Sequence, residues 1–148
     1  MKENEVLSLL EIRKTICGKR DAVFDALTKP EIMSEWFYGM DQGSAEVESD
    51  FRVGGGYVIR MFKSDGSASS CAEYEPHGEF LEIDRPNKIV LTWISEGFVD
   101  YSVVTISLVA TEEGTELTLR HELPEMVADV HKEGWNACLG NLTKNCFS

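Results

Sequence analysis

Two histidines, His121 and His131, fall where the sequence predicts a buried interior, and they are the residues best suited to chemistry. His131 lies on the apolar side of a predicted C-terminal helix, one turn before Trp135. His121 lies on a predicted strand in which it, Leu119 and Leu117 occupy every second position, so the three share one face. An imidazole there could hydrogen-bond a ligand or transfer a proton. Because buried polar groups are normally paired, a histidine bonded to a backbone carbonyl or to a nearby Tyr or Trp is the favoured interpretation.

The sequence carries no recognisable metal or nucleophile motif. There are only three histidines, and no pair has i, i+4 spacing. His121-Glu122 begins like an H-E-x-x-H helix, but no second histidine follows in register. No G-x-S-x-G segment is present. The cysteines show no C-x-x-C spacing and are predicted to be reduced, mostly structural thiols: Cys17, Cys71, Cys138 and Cys146. We expect no metal, no cofactor and no catalytic residue.

The glycine run Gly54-Gly55-Gly56 is not a phosphate-binding loop. It precedes a predicted strand, whereas nucleotide-binding glycine loops follow a strand and open a helix. Two interpretations remain, a hinge at the mouth of a cavity and a plain turn, and the plain turn is favoured.

Composition and charge limit the classes of partner. The 148 residues are predicted to form one domain, 1–148, and an apolar content of 43% is typical of a globular chain. The net charge of −12 repels phosphate backbones and anionic lipid, so nucleic acid and membranes are not expected as partners. Without a signal peptide or a long apolar run, we expect a cytoplasmic protein.

Periodicity predicts an α+β protein with the order strand, two helices, six strands and a long helix. The first strand covers residues 6–16, and the two short helices cover residues 19–28 and 30–39. The predicted later strands are 45–48, 57–63, 71–83, 89–94, 101–109 and 115–121. The last helix lies within residues 123–146, with Pro124 in its first turn. Gly134 and Gly140 interrupt this helix, which suggests close backbone packing or room for a bound molecule.

Strand alternation assigns one face of the predicted sheet to the long helix. Thr92 and His77 are predicted on the opposite face, with His77 pointing to solvent. A set of inward, mostly aromatic side chains could line an apolar ligand cavity, although such sets are usually ordinary core. The candidate ligand-binding residues are Trp36, Phe37, Tyr57, Ile59, Met61, Tyr74, Trp93, His121, His131 and Trp135.

An ordered set of short stretches carries a family resemblance. They are AVFDALT at 22–28 with Pro30, WF at 36–37, FRVGGGY at 51–57, GEFLEI at 78–83, LTW at 91–93, LTLRHE at 117–122 and HKEGW at 131–135. In this order they resemble the activator of heat-shock protein 90 ATPase homologue 1-like family, within the START-like (SRPBCC, Bet v 1-like) superfamily. The resemblance extends from about residue 10 to residue 142.

The resemblance implies a helix-grip fold, in which a curved antiparallel sheet wraps round the C-terminal helix and leaves a cavity between them. It implies binding of a small hydrophobic or amphipathic molecule in that cavity, without chemistry, so we expect no enzyme. Two alternatives remain open. One is a chaperone-associated interaction module, and the other is a hydrolase, cyclase or isomerase that uses His121 or His131 as acid–base.

The resemblance also bears on protein partners. Eukaryotic co-chaperones of the family carry an additional N-terminal domain that binds the chaperone, and these 148 residues contain no counterpart. We therefore expect any contact with heat-shock protein 90 to be weak. A homodimer stays open at this point.

We predict no tight complex with nucleic acid, because a chain of net charge −12 without a basic cluster gains no counterion-release energy from phosphates. A DNA mobility-shift assay near physiological salt should show only free DNA. Retention on heparin, or a shifted band, would contradict the prediction.

Overall fold

A computed structural model describes residues 6–38, 44–62, 74–97 and 99–147 of the chain. Seven strands and three helices follow one another along these residues. The elements are β1 (Leu7–Ile16), α1 (Arg20–Thr28), α2 (Pro30–Met33), β2 (Ser44–Ser49), β3 (Gly56–Phe62), β4 (His77–Asp84), β5 (Lys88–Ser95), β6 (Val99–Thr111), β7 (Gly114–Pro124) and α3 (Glu125–Cys146).

The strands form one antiparallel sheet in the order β1-β7-β6-β5-β4-β3-β2. Consecutive strands from β2 to β7 are neighbours, which short turns between antiparallel strands allow. The sheet is curved and carries the long helix α3, so the predicted α+β helix-grip fold is confirmed. In the described part of the chain, no helix is both long enough and apolar enough to cross a bilayer.

The helix α3 runs beside β1 along that strand's whole length. At its start the Glu125 N–H donates to the Val6 carbonyl at 2.8 Å, just before β1 begins. Past its end the Phe147 ring packs on Gly18, just after β1 ends, so closely that a Cβ on Gly18 would come within 2.4 Å of it. Of the predicted apolar side of α3, His131, Trp135, Cys138 and Leu142 are buried, and Leu139 is buried with them. Val130, which was predicted on the same side, has an exposed fraction of 60%.

Two predicted elements are shorter than expected. Strand β4 begins at His77 because Pro76 has no N–H to donate, and Tyr74 forms only an isolated bridge with Met61. Residues 71–73 of that predicted strand lie outside the described residues. Helix α2 ends at Met33 and continues as a tight turn, in which the Trp36 N–H donates to the Met33 carbonyl. Gly39, the predicted end of that helix, is also outside them.

One residue of the predicted polar face is buried. The prediction placed Thr92 on the polar side, yet its exposed fraction is 2%. Gly78 on β4 lies against it, since a Cβ there would come within 2.2 Å of the Thr92 carbonyl oxygen. The Glu79 N–H donates to the Thr92 Oγ1 at 2.9 Å. His77 has a half-exposed side chain near Glu96, as its predicted outward position requires.

The glycine run forms a tight turn between β2 and β3. Gly54 has a φ of +87°, a conformation that side-chain-bearing residues rarely adopt. Its N–H donates to the Phe80 carbonyl, and the Phe80 N–H donates back to the Gly55 carbonyl. These two bonds fasten the turn to β4.

The two glycines of α3, Gly134 and Gly140, have open space around them. A Cβ built on Gly134 or Gly140 meets no described atom within 4 Å outside the helix's own backbone. Close backbone packing is therefore the wrong explanation for both.

Gly140→Ala should stabilise the protein by about 0.5–1 kcal/mol, because alanine favours the helical backbone and its methyl group meets only open space. Gly78→Ala is the matched control and should cost about 1–3 kcal/mol, since its Cβ overlaps the Thr92 carbonyl. Urea unfolding of both variants measures the difference. A destabilised Gly140→Ala protein would show that something else occupies this side of α3.

Candidate functional site

A small cavity lies between the sheet and the helices. Its volume is about 30 Å³. The side chains around it are all apolar or aromatic, and none carries a charge at neutral pH. They are Leu27, Met33, Trp36, Phe37, Tyr57, Ile59, Phe80, Ile89, Leu91, Trp93, Ile106 and Trp135. Such a lining excludes water and favours an apolar occupant.

Six of the ten residues predicted from the sequence line this cavity: Trp36, Phe37, Tyr57, Ile59, Trp93 and Trp135. The other four, Met61, Tyr74, His121 and His131, are outside the lining. Six lining residues were missing from the prediction. Of these, Phe80, Leu91 and Ile106 occupy inward positions of the predicted strands. Their residue types are common in any protein core, so they did not indicate a ligand.

Six of the twelve residues that line the cavity are aromatic, and four of them form a cluster of rings. Phe37 contacts three indoles, with ring centroids 4.6 Å from Trp36, 6.0 Å from Trp93 and 5.5 Å from Trp135. The rings of Trp93 and Trp135 are 4.9 Å apart, which joins β5 to α3. Contacts of this kind stabilise aromatic pairs beyond the area they bury. Tyr57 also lines the cavity, and its hydroxyl donates to the Thr92 carbonyl at 2.6 Å.

His121 lies behind the ring cluster with an exposed fraction of 0%. The Ser102 hydroxyl donates to the Trp93 carbonyl at 2.8 Å, so it accepts a hydrogen from His121 Nε2 at 2.7 Å. The other ring nitrogen, Nδ1, accepts from Trp135 Nε1 at 3.2 Å. Burial, and next the neighbouring His131, lower the pKa of His121 to about 3. The imidazole is therefore neutral, with its proton on Nε2.

His131 carries the opposite tautomer. Its Nδ1 donates to the Val127 carbonyl at 2.8 Å, one turn earlier in α3. Its Nε2 then accepts from the Tyr74 hydroxyl at 3.1 Å, and that hydroxyl accepts from Trp93 Nε1 at 3.2 Å. Burial lowers the pKa of His131, while the Val127 carbonyl partly opposes the shift. Both ring nitrogens are occupied here as well.

These hydrogen bonds limit the chemistry of the two imidazoles. None of their partners is a carboxylate; the partners are a serine, a tyrosine, a tryptophan and a backbone carbonyl. Among the described residues, no group of three or more His, Cys, Asp and Glu side chains is arranged to hold a metal ion. The arrangement supports packing and positioning of the indoles.

Acid should destabilise the protein through His121. The folded state has a pKa of about 3, whereas the unfolded chain takes up a proton near 6.5. The contribution of this pKa difference to the free energy of unfolding is fully present above about pH 6.5. It is lost as the pH falls towards about 3, because in that range mainly the unfolded state binds the proton. From pH 7 to pH 5 the wild type should lose about 2 kcal/mol more stability than His121→Gln, measured by urea unfolding. Equal losses in both proteins would contradict the assignment.

Solved structures share the fold. The protein CV1439 from Chromobacterium violaceum aligns with a TM-score of 0.79 and 21% identity over 92% of this chain and 95% of that chain. The AHSA1-like protein from Aeromonas hydrophila gives 0.76 and 20%, over 93% and 90%. CalU16 from Micromonospora echinospora gives 0.71 and 23%, over 94% and 82%. Identities this low show the fold alone.

The sequence itself provides the family. No curated protein matches the chain. The family profile described as activator of Hsp90 ATPase homolog 1-like protein matches residues 18–146, which include α1 to α3 and all strands after β1. The chain therefore belongs to the activator of Hsp90 ATPase homolog 1-like family.

Proposed function

We propose that the chain binds a small hydrophobic or amphipathic molecule between the sheet and α3 and carries out no chemistry on it. The observation that carries this proposal is the cavity, whose twelve lining side chains are all apolar or aromatic and uncharged. Ligand pockets are mostly apolar with a few polar groups that fix orientation. A cavity between sheet and long helix is also where the family fold supports ligand binding.

The size of the cavity adds a condition. Its volume of about 30 Å³ is far below the roughly 300–1,000 Å³ typical of ligand pockets. Binding therefore requires part of the wall to move, and the empty space marks where the packing is already incomplete.

The two buried histidines support binding over catalysis. A general base works best with a pKa near the operating pH, whereas burial lowers the pKa of His121 to about 3. All four ring nitrogens of His121 and His131 are engaged by the protein. We propose that these imidazoles, together with Tyr74 and Met61, hold the wall in place behind the residues that contact the ligand.

The family description supports a competing function, chaperone-associated binding. An ATPase assay with heat-shock protein 90 distinguishes the two functions. Our proposal expects weak or absent stimulation, and a several-fold stimulation at micromolar concentration would favour the competing function.

Apolar compounds of steroid, flavonoid or fatty-acid size should raise the unfolding temperature of the protein. A ligand present at about 100 times its dissociation constant adds roughly 2.7 kcal/mol to the folded state. A thermal-shift screen of steroids, flavonoids and fatty acids measures this, with sugars and nucleotides as polar controls. A flat response across the apolar set would argue strongly against the proposed function.

Replacing His131 should affect stability more than ligand affinity. His131→Ala removes an acceptor for Tyr74 and leaves a small cavity, so it should cost about 1–3 kcal/mol. Affinity for a screened ligand should change by less than about tenfold, a difference of 1.4 kcal/mol. His77→Ala, at a half-exposed histidine outside the cavity, is the matched control. An unchanged unfolding midpoint with lost binding would instead place His131 in contact with the ligand.

A further inference from the structure

Phe37, like its neighbour Trp36, belongs to the cavity wall but to neither a helix nor a strand. It follows the turn after α2, and its N–H donates to the Met33 carbonyl at 2.9 Å. Its side chain is nevertheless buried, with an exposed fraction of 5%. The ring lies nearly parallel to two indoles, at 24° to Trp36 and 21° to Trp93, and edge-on to Trp135 at 61°.

Residues 35–38, here called the Phe37 segment, are fastened to α3 by two asparagines. Asn141 Nδ2 donates to the Tyr38 carbonyl at 2.9 Å. Asn145 Nδ2 donates to the Glu35 carbonyl at 2.7 Å and to the Tyr38 hydroxyl at 3.1 Å. The two bonds of Asn145 are exposed, so water can replace them when the segment moves. Phe37 and Tyr38 can therefore move away from α3 without breaking a strand pairing, while Trp36 stays in the wall through its own bond from Nε1 to the Ala26 carbonyl.

We propose that Phe37 fills a position built for a planar, uncharged aromatic group of the ligand, and that binding displaces its ring. The inference rests on the proposed function and names the chemical class of its ligand. Two nearly parallel indole faces and one indole edge match the geometry that a flat ring prefers. The adjoining cavity of about 30 Å³ provides space for a group larger than the phenyl ring itself.

The polar groups around the position explain why the occupant is uncharged. Trp36 Nε1 donates to the Ala26 carbonyl, and Trp135 Nε1 donates to His121. The Tyr57 hydroxyl donates to the Thr92 carbonyl, and burial raises its pKa, so it remains protonated. A charged group placed here would lose its water without gaining a partner. A saturated ring of the same size fits the volume but cannot stack on the indoles.

A matched pair of compounds tests the proposal. The probes are 2-naphthol and decahydro-2-naphthol, which share a skeleton and a hydroxyl but differ in planarity. Isothermal titration calorimetry compares the wild type with Phe37→Ala, in which the phenyl ring no longer fills the position. Leu91→Ala is the control, because it enlarges the same cavity by truncating an aliphatic side chain and leaves the Phe37 ring in contact with the indoles. Phe37→Leu replaces Phe37→Ala should that variant not fold.

We expect Phe37→Ala to bind 2-naphthol about tenfold more tightly than the wild type, because the ligand no longer displaces a ring. In the same variant 2-naphthol should be favoured over its saturated counterpart by about two- to tenfold, the range expected for aromatic stacking. Leu91→Ala should show no such preference for the planar compound.

Two results would overturn the proposal in different ways. Equal affinity for both compounds, or equal gains in Phe37→Ala and Leu91→Ala, would refute the aromatic position and leave apolar binding in the cavity standing. Failure of both compounds to bind any of the folded proteins would refute the proposed function together with this inference.

Discussion

The structure depends on a buried hydrogen-bond network that joins α3 to the sheet. Trp135 on α3 donates to His121 on β7, and Tyr74 donates to His131 on α3 while accepting from Trp93 on β5. Leaving one of these groups unpaired in an apolar interior would cost about 1–3 kcal/mol. Each imidazole is therefore held as a defined neutral tautomer, and each fixes an indole or a phenol. The network determines where α3 lies across the sheet.

This arrangement also determines the character of the cavity. The indole N–H groups of Trp36, Trp93 and Trp135 are all used within the protein, so only their faces and edges border the empty space. The wall is apolar on the side that faces the cavity, and the hydrogen-bonded polar groups lie behind it. That separation supports recognition by shape and stacking, and none of the described residues that line the cavity is a histidine or a carboxylate.

Much of the fold could be predicted from the sequence, because alternation and helical spacing report which side chains are buried. The inward faces of β3, β5, β6 and β7 and the buried side of α3 followed from this. Features made by single contacts could not be predicted. The short β4 depends on Pro76, the buried Thr92 depends on Gly78 opposite it, and the pairing of His121 depends on Ser102, which alternation alone did not distinguish. The attachment of the Phe37 segment by Asn141 depends on residues 103 positions apart.

The central claim is that a small hydrophobic or amphipathic molecule binds between the sheet and α3. Intermolecular nuclear Overhauser effects between a saturating apolar ligand and the protein test it most directly. The account predicts contacts from ligand protons to the rings of Trp93 and Trp135, with the Nε2 proton of His121 still in place. Ligand contacts confined to exposed side chains such as Tyr101 and Met126, with unchanged signals from both indoles, would contradict it.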